Sequence, residues 1–159
     1  MYNQNAAPDP KNFVKTNVII HFALLVGQVL FGIAVFFITQ NPVVDLHPVN
    51  DVFIYVAPFM IVFTIVLGTF LYNQQLKKVT EKTTIKEKLS LYQTAFIIRD
   101  AMSEGASLFC IVCVMNTGNL VYLIAAGINI IYFIWIRPTK AKIEDSLNLD
   151  YNEKAAMES

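Results

Sequence analysis

Charge is what this sequence has least of. Asp, Glu, Lys and Arg make up 15% of its 159 residues, against a globular norm of about 25%. Twelve basic residues cancel twelve acidic ones, so the chain offers no electrostatic footprint for nucleic acid. Nor is it the charged, apolar-poor kind of chain that stays disordered. Glycine numbers six, and no glycine-rich phosphate loop, zinc-ligand spacing or Ser/His/Asp order occurs. The two cysteines form Cys110-Ile111-Val112-Cys113, the C-x-x-C spacing of redox motifs. They sit in the middle of an apolar run, away from the helix N-terminus or cations that activate a thiolate, and no second pair completes a zinc site. They read as two small buried hydrophobes. These absences point away from an enzyme, a cofactor site or a metal centre.

What remains is apolar. AVILMFWYC residues fill 55% of the chain, above a norm of roughly 45–50%, and a small soluble domain buries too little of its surface to hide them. They fall into four runs, 18–39, 52–72, 95–115 and 120–136, each within the window of about 17–25 residues that crosses a bilayer core. Of the 24 charged residues only Arg99, Asp100 and Glu104 lie inside a run. The pattern predicts an all-α membrane protein, a four-transmembrane-helix antiparallel bundle whose first partner is the lipid bilayer. Residues 1–17 and 137–159 are expected to be tails, the second frayed beyond one amphipathic turn at Ile143, Leu147 and Asn148. The first run is longer than a signal-peptide core of about 7–15 residues and is followed by Gln40-Asn41-Pro42 rather than a cleavage site.

Eleven of the twelve basic residues flank the runs on one side: Lys11 and Lys15, then Lys77, Lys78, Lys82, Lys86 and Lys88, then Arg137, Lys140, Lys142 and Lys154. The other two connections, 40–51 and 116–119, have none. The positive-inside rule therefore puts both termini in the cytoplasm. Thr84-Ile85-Lys86-Glu87 fits a capping box opening the third helix near Ile85. Gly118 suits a left-handed helix end and Asn119 a following N-cap, so runs three and four form a hairpin. Arg137-Pro138 ends the fourth helix, and Pro58 predicts a kink in the second. Ala101 with Gly105 and Ala23 with Gly27 give two small-xxx-small patterns that admit a close neighbour. In the outer connection, Asp45, His47 and Asp51 read as an ordinary solvated loop rather than a cation site.

Polar residues inside the runs carry the functional question. At about 1.5 Å per residue from the outer ends, Gln28, Thr64, Glu104 and Asn129 all lie roughly 14–18 Å deep, one on each helix. His21, Arg99 and Asp100 form a second layer nearer the cytoplasm. Facing lipid is costly, so these side chains are expected to turn inward. The plainest role is interhelical hydrogen bonding, worth about 0.6 kcal/mol per bond. Asp100 and Glu104 share a face at i,i+4 spacing, flanked by Ser103 and Ser107. Two carboxylates so close are not both charged, and Glu104, the deeper, is expected to carry the proton. His21 is placed to partner Asp100. Arg99, about 100° around the helix from Asp100, is expected to snorkel to the headgroups. Arg99 and Arg137 are then the interface anchors.

From the third run onward the chain also carries Glu104-Gly105 with Leu108-Phe109, Thr117-Gly118-Asn119-Leu120 and Arg137-Pro138-Thr139-Lys140, with Gly27-Gln28 and Phe31 earlier. In these it resembles a group of small, uncharacterised inner-membrane proteins of Bacteroidota-type bacteria. The resemblance covers about half the chain and implies a bacterial inner membrane, with no activity to transfer. A midmembrane glutamate in a hairpin is also similar to proteolipid rotor subunits of rotary ATPases. Those pack on glycine-rich helices, and six glycines without a GxGxG run argue against a rotor ring. Two functions are expected from the sequence. The first is a noncatalytic scaffold or modulator, with other membrane proteins or a second copy as partners. The alternative is a proton- or cation-coupled conductor or small transporter centred on Glu104.

Overall fold

A computed structural model describes residues 8–48 and 50–158, with the side chain of Glu158 left aside. It is helical, with six α-helices and no strand among the described residues: α1 (Pro10–Ile38), α2 (Phe53–Lys77), α3 (Ile85–Thr117), α4 (Val121–Trp135), α5 (Lys140–Ser146) and α6 (Tyr151–Glu158). A 3-10 turn, Lys78–Glu81, extends α2. Among the described residues two helices are long and apolar enough to cross a membrane alone, Pro10–Ile38 and Phe53–Glu81. A third emerges if α4 and α5, bent by 73° at their junction, count as one span. α3 has the length, but Arg99, Asp100 and Glu104 interrupt it. α4 has the hydropathy, but its 15 residues reach only about 22 Å.

α3 is the hub, and α1, α2 and α4 each pack along it. α2 runs against it, with Phe53 beside Phe109 at one end and Tyr72 beside Tyr92 at the other. α4 runs back along α3 from the hairpin, where Gly118 adopts φ 69° and its N–H closes onto the Val114 carbonyl. Gly118 thus ends α3 as its sequence suggested. The N-cap of α4 is Leu120 rather than the expected Asn119; Asn119 instead ties two connections, its Oδ1 accepting from the N–H groups of Val121 and Asp45 and its Nδ2 donating to the Asp45 carbonyl at 2.7 Å. Val43 adds a short parallel bridge, donating to Gly118 O and accepting from Leu120 N. The α1–α2 connection is therefore sewn to the α3–α4 hairpin.

At the lysine-rich end two expectations need correction. Residues 1–7 of the expected N-terminal tail lie outside the described residues, but from Pro10 onward the chain is helical. Asp9 is the N-cap, accepting from Lys11 N, and proline takes the first helical position, where its missing N–H costs nothing. Nor are residues 137–158 a frayed tail; Ser159 lies outside the described residues. Thr139 caps α5 by accepting from Lys142 N. Ile143, Leu147, Leu149 and Met157 are buried together with Phe13, Leu89, Tyr92 and Phe96. Asn148, expected on the same face as Ile143 and Leu147, is exposed at φ 46°. Lys88 clamps the arrangement with two bonds to Glu153, at 2.7 and 2.8 Å. The Thr84–Glu87 cap forms as expected, with Glu87 N donating to Thr84 Oγ1 and that hydroxyl donating to the Glu87 carboxylate. These bonds from Thr84 hold the Glu87 carboxyl below its ordinary pKa.

Candidate functional site

The centre of the molecule is a histidine–aspartate pair. His21 of α1 and Asp100 of α3 are 5% and 0% exposed, with Nδ1 and Oδ2 2.6 Å apart. With Asp100 ionised, the imidazole Nδ1–H donates to the carboxylate, the short geometry of a charge-assisted bond. Phe133 of α4 lies flat against the imidazole, 4.2 Å between centroids and 4° between planes, and Phe96 closes another side at 6.2 Å. One pair therefore joins three helices. His21 Nε2 and Asp100 Oδ1, the atoms facing away from the bond, are enclosed and have no partner among the described residues.

A second joint lies deeper. Asn129 of α4 donates through Nδ2 to the Ser103 carbonyl at 2.7 Å and to Ser107 Oγ at 2.8 Å, both on α3. Its own Oδ1 is buried without a partner. Gln28 is fully buried on α1; its amide makes only a long bond to Leu24 O at 3.4 Å, and its Oε1 is unmatched. Asn17, one turn before His21, repeats the pattern, with Nδ2 on Phe13 O and Oδ1 buried and unmatched. Sequence reasoning missed Asn17 because it sits just before the apolar run, although its i,i+4 spacing to His21 marks the face. Each unmatched buried atom carries a desolvation penalty of about 1–3 kcal/mol, so the α1–α3–α4 seam is a polar stripe maintained at a cost.

The expected single layer of Gln28, Thr64, Glu104 and Asn129 divides three ways. Gln28 and Asn129 enter the seam. Thr64 is buried on α2, but its hydroxyl donates to its own helix, to Met60 O at 2.8 Å. Glu104 is half-buried and makes no hydrogen bond or ion pair among the described residues. Depth counting placed Glu104 at the right level. It did not fix azimuth, and α3 turns its buried polar face through Asp100, Ser103 and Ser107.

Arg99 corrects the snorkelling expectation. Its guanidinium lies over the Tyr72 ring at 4.0 Å and donates through Nη2 to Ile136 O at 3.1 Å, tying α2, α3 and the end of α4. Arg137 is exposed at that end. Lys142 reaches back to Trp135 O at 2.9 Å and Arg137 O at 3.2 Å. Partial burial, then the nearby Arg99 and Arg137 charges, lower its pKa.

Other sequence candidates stay apart from the seam. Cys110 and Cys113 are free thiols buried in an apolar cluster with Ala106, Ile111 and Tyr122. Asp51 accepts the Tyr122 hydroxyl and Phe53 N, and Asp45 accepts His47 N. No group of three potential metal ligands converges among the described residues. Beside Gln28, a groove of about 290 Å³ opens between α1 and α4, its walls including Gly32, Phe36, Leu123 and Gly127. Comparison with protein-family models, curated proteins and solved structures returns no match.

Proposed function

We propose that the protein is a four-span bundle of a bacterial inner membrane, both termini cytoplasmic, that serves as a noncatalytic scaffold or modulator of other membrane components. One observation carries this reading. Three inward polar contacts join helices, His21 to Asp100, Asn129 to Ser103 and Ser107, and Arg99 to Ile136. The outward faces of α1 and α2 stay apolar, with Phe22, Leu30, Phe37, Phe59 and Phe70 widely exposed. At membrane depth the α1–α4 groove has small-residue walls of the kind that admit a neighbouring helix. α3 crosses as a span with Asp100 and Arg99 turned to partners inside the protein and Glu104 half-buried, and α4 crosses with the help of the bend into α5. Cysteine labelling at Asn50 and Asn116, both exposed, tests this topology. Both are expected to react from outside, and reaction of Asn116 from the cytoplasm would overturn the hairpin's placement.

The scaffold role is tested by purification in mild detergent with mass spectrometry. A Cβ at Gly127 meets nothing within 4 Å, so Gly127→Leu fills the groove without straining the protomer. A copurifying protein retained by wild type and lost by Gly127→Leu supports the reading. A solitary monomer in both counts against it.

A second reading, a proton-coupled conductor, is favoured by the unmatched atoms of the seam, since proton transfer needs titratable groups linked by polar neighbours. It rests on His21 and Asp100 rather than Glu104. Proteoliposomes carrying wild type, Asp100→Asn or Glu104→Gln decide the matter. A pH-driven flux lost only in Asp100→Asn establishes conduction through the pair, and absence of flux from wild type removes this reading.

A further inference from the structure

At the end of α4, two cations donate to three successive carbonyls and a third lies beside them. Arg99 donates to Ile136 O, and Lys142 donates to Trp135 O and Arg137 O, with the exposed Arg137 close enough to disturb Lys142. No carboxylate lies within ion-pair distance of any of the three among the described residues. Glu144 of the adjoining α5 is turned to Lys140 and Lys154, at 3.7 and 3.8 Å. The partial negative charge of a helix C-terminus offsets only about half an elementary charge, so the cluster keeps a net positive field. Directly beside it the surface is apolar, with Trp135 75% and Ile131 69% exposed.

We propose that this cluster is a binding site for the phosphate headgroup of an anionic phospholipid, its acyl chains lying against Trp135 and Ile131. The ligand must combine a negative phosphate with a hydrocarbon body, because the cations and the apolar face adjoin. Arg99 is held in place by Tyr72 and Ile136 and Lys142 by the Trp135 and Arg137 carbonyls; both set the field, while the exposed Arg137 meets the headgroup. Basic pockets at the cytoplasmic ends of membrane helices recognise anionic headgroups in this way. The inference rests on the membrane placement of α4 given above, but not on any scaffold or conductor role.

The test uses the full chain in neutral detergent, with phosphatidylglycerol or phosphatidylcholine of matched chain length added, read by native mass spectrometry and thermal melting. Wild type is expected to retain phosphatidylglycerol preferentially and to melt higher with it. Each cation near an anionic lipid surface is worth about fivefold in affinity. Arg137→Gln and Lys142→Gln should each weaken retention by about that factor, and the double variant by roughly 25-fold. Both side chains are exposed, and Lys142→Gln keeps an amide donor at that position, so folding is expected to survive and melting without lipid checks it. Equal retention of the two lipids overturns the site, as does a phosphatidylglycerol preference that persists in the double variant. Inorganic phosphate or glycerol phosphate giving the same shift would make it a soluble-anion site and overturn the lipid assignment. Reversed cysteine labelling alongside intact lipid selectivity would instead locate the fault in the topology.

Discussion

The two ends of the bundle are packed from different materials. At the lysine-rich end the core is aromatic and crosses six elements, bringing Phe13, Tyr72, Tyr92 and Phe96 together with Ile143, Leu147 and Met157 from the last helices. At the hairpin end the buried side chains are mostly smaller, Val35, Ala57, Ala106, Cys110, Ile111 and Val114, with Tyr122 the buried aromatic among them. Between the two clusters lie His21, Asp100, Asn129 and Gln28. In the proposed topology the difference follows from the solvent on each side. The lysine-rich core would shield apolar groups from water, so the hydrophobic effect drives it and large side chains are rewarded. The other would face lipid, which is as apolar as the core itself. There helix association depends on close packing and hydrogen bonds, which favour small residues.

The largest expected effect comes from the boundary. Asp100→Ala leaves His21 enclosed beside an empty bond and should cost about 3–5 kcal/mol, measured by reversible unfolding in mixed micelles. His21→Leu combined with Asp100→Leu should recover most of that loss, because removing both partners leaves no buried charge unmatched. A double variant as unstable as Asp100→Ala alone would show that packing on Phe133, rather than the pair, joins the ends.

The comparison itself is sharpened by equal truncations in the two cores. Leu147 and Ile111 are both fully buried. Leu147→Ala should cost about 3–4 kcal/mol, a water-transfer term plus a cavity. Ile111→Ala should cost only about 2 kcal/mol, since lipid supplies no comparable transfer term. Equal losses would dissolve the distinction between the ends. Smaller again is Glu153→Gln, which breaks the half-buried clamp to Lys88 and should cost about 1 kcal/mol, less in high salt.

The smallest effect concerns Glu87. Its folded-state pKa is lowered, first by the Thr84 hydroxyl. Its contribution is therefore present above the unfolded-state pKa and disappears as pH falls through the lower folded value. A slight drop in melting temperature as pH decreases below about 4.5 is expected for wild type, and Thr84→Val should flatten it.

Much of this was legible in the sequence, and the failures share a cause. Hydropathy located α1 to α4 but measures contact with lipid rather than helicity. It therefore started α1 at residue 18, although Asp9-Pro10 is a cap followed by a favoured first residue. It also passed over α5 and α6, since the Ile143 and Leu147 spacing marks only a single turn. The His21–Asp100 pair was readable because each is the lone group of its kind at that depth. Glu104 was misplaced because one residue along a helix changes direction by about 100°. Arg99 was misplaced because a sequence shows a charge but not the Tyr72 ring and Ile136 carbonyl that hold it.

The bridge between Val43 and the hairpin bears on how this molecule can deform. Through it the outer end of α1 is fastened to α3 and α4, while the inner end is gripped by α6. A beam pinned at both ends cannot swing open like a gate; it bows, and it bows most at mid-span. On α1 mid-span falls around Leu24 to Gln28, between the His21 joint and the groove. Deformation of this helix would therefore part the bundle sideways, along the α1–α4 groove, rather than at its ends.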